Sequence, residues 1–119
     1  MAHTICWFDL PVLDLERATN FYSHVLNAKL EIMSEMACAV FPHQDNDVGG
    51  CLYKDDDVKP SANGILVYFN VNGRLDAAIL EVTKHGGQIL KEKHAIGPYG
   101  IRAIILDSEG NRVALHSEP

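Results

Sequence analysis

The stretch Asp107-Ser108-Glu109-Gly110-Asn111-Arg112-Val113-Ala114-Leu115-His116-Ser117 decides how the rest of the chain is read. Asp-Ser-Glu-Gly is a tight turn, because Asp and Ser side chains hydrogen-bond to nearby backbone and Gly tolerates a positive φ. An apolar run, Ile101 to Leu106, enters the turn, and an alternating run, Val113 to His116, leaves it. Together they read as a closing β-hairpin.

The composition bounds what such a hairpin can belong to. A chain of 119 residues supports a single core, and 47% hydrophobic residues argue against disorder. No apolar run approaches the roughly 20 residues that a membrane span needs. No basic stretch followed by an apolar one opens the chain, so a secretory signal is not expected. A formal charge of -6 argues against nucleic acid and anionic membranes as partners, since both require a basic footprint. Cys6, Cys38 and Cys51 have no motif spacing, which predicts free thiols in a reducing, cytoplasmic setting.

Upstream of the hairpin, one order of elements occurs twice. Thr4 to Leu10 reads as a strand that Pro11 helps end. Asp14 is an N-cap candidate for a helix over Asp14 to Leu26, with Leu15, Ala18, Phe21, Tyr22, Val25 and Leu26 on one apolar face and Asn27 suited to a left-handed C-terminus. Lys29 to Met33, Met36 to Phe41 and Gly50 to Lys54 read as three strands. After a charged linker, Ile65 to Val71 is a strand, and Asn72 or Gly73 caps a helix over Arg74 to His85 with Leu75, Ala78, Ile79 and Val82 on its apolar face. Gly86-Gly87 ends that helix, Gln88 to Lys91 is a strand, and Gly97-Pro98 breaks the chain before the hairpin. An offset of about 59 residues places Trp7 on Leu66, Phe21 on Leu80 and Leu30 on Ile89, which reads as an internal repeat; two unrelated helix-plus-strand units are the alternative.

Several pieces stand in a specific order: Leu10-Pro11-Val12-Leu13-Asp14-Leu15-Glu16-Arg17-Ala18 with Phe21-Tyr22 and Val25-Leu26, then Gly49-Gly50, Val71-Asn72, Gly86-Gly87 and Asp107 to Ser117. With these the chain resembles the vicinal oxygen chelate superfamily of glyoxalase I, extradiol dioxygenases and bleomycin-resistance proteins, within it a glyoxalase-like branch of uncharacterised function. The resemblance implies an α+β fold of two βαβββ modules forming curved mixed sheets around a concave cavity. One domain over residues 1–119 would hold module one at about 3–54, a linker at 55–64 and module two at about 65–117. In metal-dependent members four positions bind a divalent ion, and these fall on Trp7, approximately Cys51, Leu66 and Ala114. Trp, Leu and Ala offer no donor and one Cys does not hold such an ion alone, so no metal and no cofactor is expected. A shift by one residue brings in Cys6, Phe8, Val67 and Val113, which are no better. A relocated cluster of His3, His94 and His116 is conceivable, but their spacing does not force it. His24, His43 and His85 read as solvated helix or loop residues.

Strand parity sets Trp7 with Asp9, Cys51 with Tyr53, Leu66 with Tyr68, Ala114 with His116, and Arg102 with Ile104. If the family's cavity lies on that face, the ligand-binding candidates are Trp7, Tyr53, Leu66, Tyr68, Arg102 and Ala114, with Arg102 able to pair with a ligand carboxylate. Asp9 and His116 are the candidates for proton transfer. Cys51 is a nucleophile only if its pKa is lowered. The structural alternative is that Trp7, Leu66 and Ala114 pack together and fill the cavity. The leading functional expectation is a metal-free protein that binds a small organic molecule. The alternatives are a lyase or isomerase of the glyoxalase type acting beside a carbonyl, and an interaction module with a filled cavity. A homodimer is expected, because short members of the family pair and exposed sheet edges need cover.

Overall fold

The computed structural model describes residues 3–119. Module one consists of β1 (Trp7–Pro11), α1 (Leu15–Val25), β2 (Glu31–Met33), β3 (Cys38–Val40) and β4 (Gly49–Tyr53). Module two repeats the order with β5 (Val67–Asn70), α2 (Leu75–Lys84), β6 (Gln88–Ala95), β7 (Ile101–Leu106) and β8 (Arg112–Ser117). Each module folds its strands into one mixed four-stranded sheet, β1-β4-β3-β2 and β5-β8-β7-β6, in which the first strand runs parallel to the last. The two βαβββ units expected from the sequence are therefore present.

The backbone carries the repeat into detail. Val12 N–H donates to the Tyr53 carbonyl at 2.9 Å, and Val71 N–H donates to the His116 carbonyl at 2.9 Å. Asp9 pairs with Cys51 as Tyr68 pairs with Ala114, so Tyr53 and His116 hold equivalent places. The helices depart from the offset that the strands obey. Phe21 is fully buried, whereas Leu80 is 64% exposed. The buried residues match as Ala18 with Ala78 and Tyr22 with Val82, one position later. The turn before α2 carries one extra residue, and Gly73, at φ 77°, absorbs it.

Asp14 caps α1 as expected, its carboxylate accepting from Arg17 N–H at 3.0 Å, and Asn27 at φ 51° and Gly86 at φ 96° end the two helices. Neither Asn72 nor Gly73 caps α2: Arg74 stands at the cap and makes no side-chain capping bond. Asn72 Oδ1 instead accepts from Glu118 N–H and the Ser117 hydroxyl, and Gly73 N–H donates to Ser117 Oγ. Pro11 is the last residue of β1, one place beyond the expected Leu10, and an edge strand tolerates it because no neighbour on the outer side needs its missing N–H. β1 starts at Trp7 rather than Thr4, β5 starts at Val67 rather than Ile65, and β6 runs on to Ala95 with register shifts near Lys91.

One core joins the modules. Tyr22 from α1, Phe41 beside β3 and Phe69 from β5 meet with ring centroids 5.1–5.5 Å apart. Leu10, Leu52, Ile105 and Leu115 extend this cluster along both sheets. Each sheet thus spends one face on the helices and aromatic core, leaving the opposite face for a site.

Candidate functional site

The core-averted face of module one is set by two glycines. Gly50 lies under the Phe8 ring on the core side, while Gly49 lies under Trp7 on the other; a Cβ at either would stand within 3 Å of the ring above it. Trp7 is thereby laid flat on β4, its Nε1 donating to Asp9 Oδ1 at 2.7 Å. Cys51 Sγ donates to the same oxygen at 3.3 Å. Burial, reinforced by Asp9 and then Cys38, pushes the Cys51 thiol up to about 12, so it is no ready nucleophile. Burial also pushes Tyr53 up, with Asp9 adding to the effect. All three cysteines are free.

On module two the same face is open. Tyr68, Ile96, Tyr99, Arg102 and His116 line a hollow of about 610 Å³. Three strands bring them there: Arg102 pairs with His116 across β7 and β8, while Tyr68 comes from β5 next door. The wall is the tight loop from Ile96 to Gly100, which joins β6 to β7. Gly100 sits at φ 110°, and a Cβ there would stand 2.4 Å from the Ser117 carbonyl oxygen and 2.9 Å from His116 Nε2. His116 Nε2 meets the Tyr99 carbonyl at 2.5 Å; a carbonyl only accepts, so Nε2 carries a proton. Gly100→Ala is expected to cost about 2 kcal/mol of stability through backbone strain and to release His116 from the loop. Chemical denaturation and the His116 ring resonances check both effects, and an unchanged ring environment contradicts the second.

The candidates thus divide between two sheets. Trp7, Asp9 and Tyr53 lie on β1 and β4, and Tyr68, Arg102, Ala114 and His116 on β5, β7 and β8. Ala114 is fully buried under its neighbours. Leu66 precedes β5, outside the strand whose parity placed it beside Tyr68. Trp7 and Tyr68 are each 44% exposed on their sheet faces. Among the described residues no three His, Cys, Asp or Glu side chains converge as metal ligands. Of the four positions that the resemblance assigns to the metal, Trp7, Leu66 and Ala114 carry no donor and burial pushes the Cys51 thiol up, so these side chains do not fit a divalent ion. Sequence reasoning missed Ile96 and Tyr99, and weighed His94 only for a relocated metal cluster. They belong to the extended end of β6 and its loop, and the Gly-Pro pair marked a break there without showing which way the loop leans.

A larger hollow of about 640 Å³ on α1 is lined mainly by polar side chains, among them Asp14, Glu16, Arg17 and Asn20. It lacks the apolar walls typical of a small-molecule site.

The family model described as the Glyoxalase/Bleomycin resistance protein/Dioxygenase superfamily matches residues 2–115. A glyoxylase-like domain-containing protein of Didymella fabae is 29% identical over 121 aligned residues, covering 97% of this chain and 94% of its own. Among solved structures, a glyoxalase/bleomycin resistance protein from Albidiferax ferrireducens superposes with a TM-score of 0.79 at 16% identity, covering 98% of this chain and 100% of the other. A genomically encoded fosfomycin resistance protein from Listeria monocytogenes superposes at 0.74 with 18% identity, covering 100% and 94%.

Proposed function

The chain belongs to the glyoxalase/bleomycin resistance protein/dioxygenase superfamily, and from that premise we propose that it binds a small organic molecule on the core-averted sheet face, without a resident metal. The observation that carries this reading is the open hollow at Tyr68, Ile96, Tyr99, Arg102 and His116, where aromatic and aliphatic walls surround a few oriented polar groups. Trp7, Leu66 and Ala114 at the family's ligand positions support the metal-free part, because no oxygen or nitrogen donor faces the site from them. The alternative of a lyase or isomerase requires Asp9 and His116 to serve one substrate. Asp9 stands on the first sheet with Trp7 and Cys51 on its Oδ1, and His116 stands on the second, which favours binding over that chemistry.

A homodimer is part of the reading. Among the outer strands, β2 is short and β6 is irregular and carries Lys91, Glu92 and Lys93, both of which discourage pairing. β1 and β5 are left, and exposed Ile5 and Ile65 stand just before their starts. Covering these strands with a second copy would shelter that apolar surface. A cytoplasmic setting is also proposed, on the strength of three free thiols.

A native mass spectrum of protein purified without chelator tests the reading. The expected spectrum has a dimer and no stoichiometric Zn, Ni, Mn or Fe; one divalent ion per chain overturns the metal-free assignment. In a small-molecule screen, Tyr68→Ala is expected to weaken any hit by about 1.4 kcal/mol, roughly tenfold. A hit that survives both Tyr68→Ala and His116→Ala unchanged places the site elsewhere.

A further inference from the structure

If the hollow on module two is the ligand site, as proposed above, its chemistry can be narrowed: the geometry points to a singly charged carboxylate on a flat apolar body as the ligand class it takes. The carrying feature is how Arg102 is held. It stands on β7 between His94 on β6 and His116 on β8. Its Nε donates to His94 Nε2 at 3.0 Å, and His94 Nδ1 meets the Glu92 carbonyl at 2.8 Å. That carbonyl can only accept, so the His94 proton sits on Nδ1 and its Nε2 lone pair receives Arg102; His94 is neutral in this arrangement. Arg102 Nη1 donates to the Tyr68 hydroxyl, and the guanidinium carbon lies 5.8 Å from the Tyr68 ring centroid. The cation is therefore oriented from both flanks by neutral groups.

No ion pair among the described residues involves Arg102, although the chain has 16 acidic residues against 10 basic ones. Of the five N–H donors that a guanidinium offers, two are used, and the others remain for a ligand in the hollow the side chain lines. A carboxylate matches this fork in planarity and in charge. A phosphate dianion would leave one negative charge unbalanced, because no lysine or second arginine lines the hollow and the chain as a whole is at -6. Tyr68, Ile96 and Tyr99 supply apolar walls for the rest of the molecule.

Benzoate and its neutral isostere benzamide are the probes. Both are titrated calorimetrically into the full chain and into Arg102→Gln, Arg102→Lys and Tyr68→Ala, with circular dichroism to verify folding. The Arg102 Nε–H signal is followed in proton–nitrogen spectra. Benzoate is expected to bind at least roughly tenfold more tightly than benzamide and to shift the Arg102 signal. Arg102→Gln should reduce benzoate to the benzamide level, while Arg102→Lys should retain part of the preference, since it keeps the charge but loses the fork. Equal binding of the two probes, undiminished benzoate binding by Arg102→Gln, or no benzoate binding at all overturns the carboxylate assignment. Equal binding that Tyr68→Ala abolishes keeps the hollow as the site while discarding the anion preference. Binding that Tyr68→Ala leaves untouched discards both.

Discussion

Asp107→Ala is expected to lower the free energy of unfolding by about 4 kcal/mol, because several enclosed donors lose their acceptor at about 1–3 kcal/mol each before relaxation. The Asp107 carboxylate is buried beneath the closing turn. It accepts from the Tyr22 hydroxyl at 2.6 Å, from Glu109 and Asn111 N–H at 2.8 and 3.0 Å, and from Asn111 Nδ2 at 3.2 Å. Tyr22 is fully enclosed among the core aromatics, so its hydroxyl has no water to turn to. Tyr22→Phe removes only one of these bonds and is expected to cost about 1–2 kcal/mol. Urea denaturation with an unchanged slope checks both; a loss below about 1 kcal/mol for Asp107→Ala, the scale of one ordinary hydrogen bond, contradicts the account. Burial next to Asp107 pushes the Tyr22 phenol well above its ordinary 10.0. A folded pKa raised above the unfolded one contributes stability that is complete below pH 10 and lost as the pH rises further, when the unfolded chain ionises and the native one does not. Tyr22→Phe should flatten that alkaline decline.

Glu109→Ala is the second large effect, expected at about 3 kcal/mol from several lost charge-assisted hydrogen bonds. Glu109 reaches from the hairpin of module two to the start of α1 in module one. Its Oε1 accepts from Leu13 and Asp14 N–H, both at 2.8 Å, and Arg17 grips both oxygens, Nε to Oε2 at 2.7 Å and Nη2 to Oε1 at 2.9 Å. Arg17 is half exposed, so the paired charge adds little by itself. The two helix-start N–H groups are the larger part, since alanine leaves them without their acceptor. Burial works to raise the Glu109 carboxyl, but the donors from Arg17, Asp14, Ser108 and Leu13 together outweigh it and hold the group below its ordinary 4.5. For a lowered carboxylate the contribution is full above pH 4.5 and is lost as the pH falls through the lower folded value. Asp107 titrates in the opposite sense, because burial raises its pKa and its contribution fades as the pH rises past 3.8. The acid melting profile of Glu109→Gln against the parent therefore isolates Glu109: the variant should lose less stability than the parent between pH 5 and pH 3, a range bracketing the ordinary value. Parallel profiles would show that Glu109 carries no such linkage.

Both predictions lie in the turn from which the fold was first read, and they mark where sequence reasoning stops. Asp-Ser-Glu-Gly announces a turn through local chemistry: Asp107 Oδ1 accepts from the N–H groups of Glu109 and Asn111, a bond pattern encoded within five consecutive residues. Nothing local says that Tyr22, Leu13 and Pro11 wait on the other side. Asn111 Nδ2 donates to the Pro11 carbonyl at 2.7 Å, and its Oδ1 accepts from Ser61 at 3.1 Å, so one side chain ties the hairpin to both β1 and the linker. The candidate site divides in the same way. Parity set Arg102 with Ile104 and Ala114 with His116, because alternation is a property of each strand alone, and the register of β7 on β8 brings the two pairs onto one face. It could not say that Trp7 and Asp9 belong to a different sheet.

What the sequence by itself determined was the element order, the apolar faces of both helices, the Asp14 cap and the left-handed ends at Asn27 and Gly86. Each follows from periodicity or from the conformational limits of one residue within a turn or two of chain. The tertiary structure alone decided the one-residue slip of α2, the inward lean of the Ile96–Gly100 loop over His116, and the docking of Glu109 on α1. These depend on which surfaces meet across roughly 20 to 100 positions of chain, and local propensity carries no information about partners so distant.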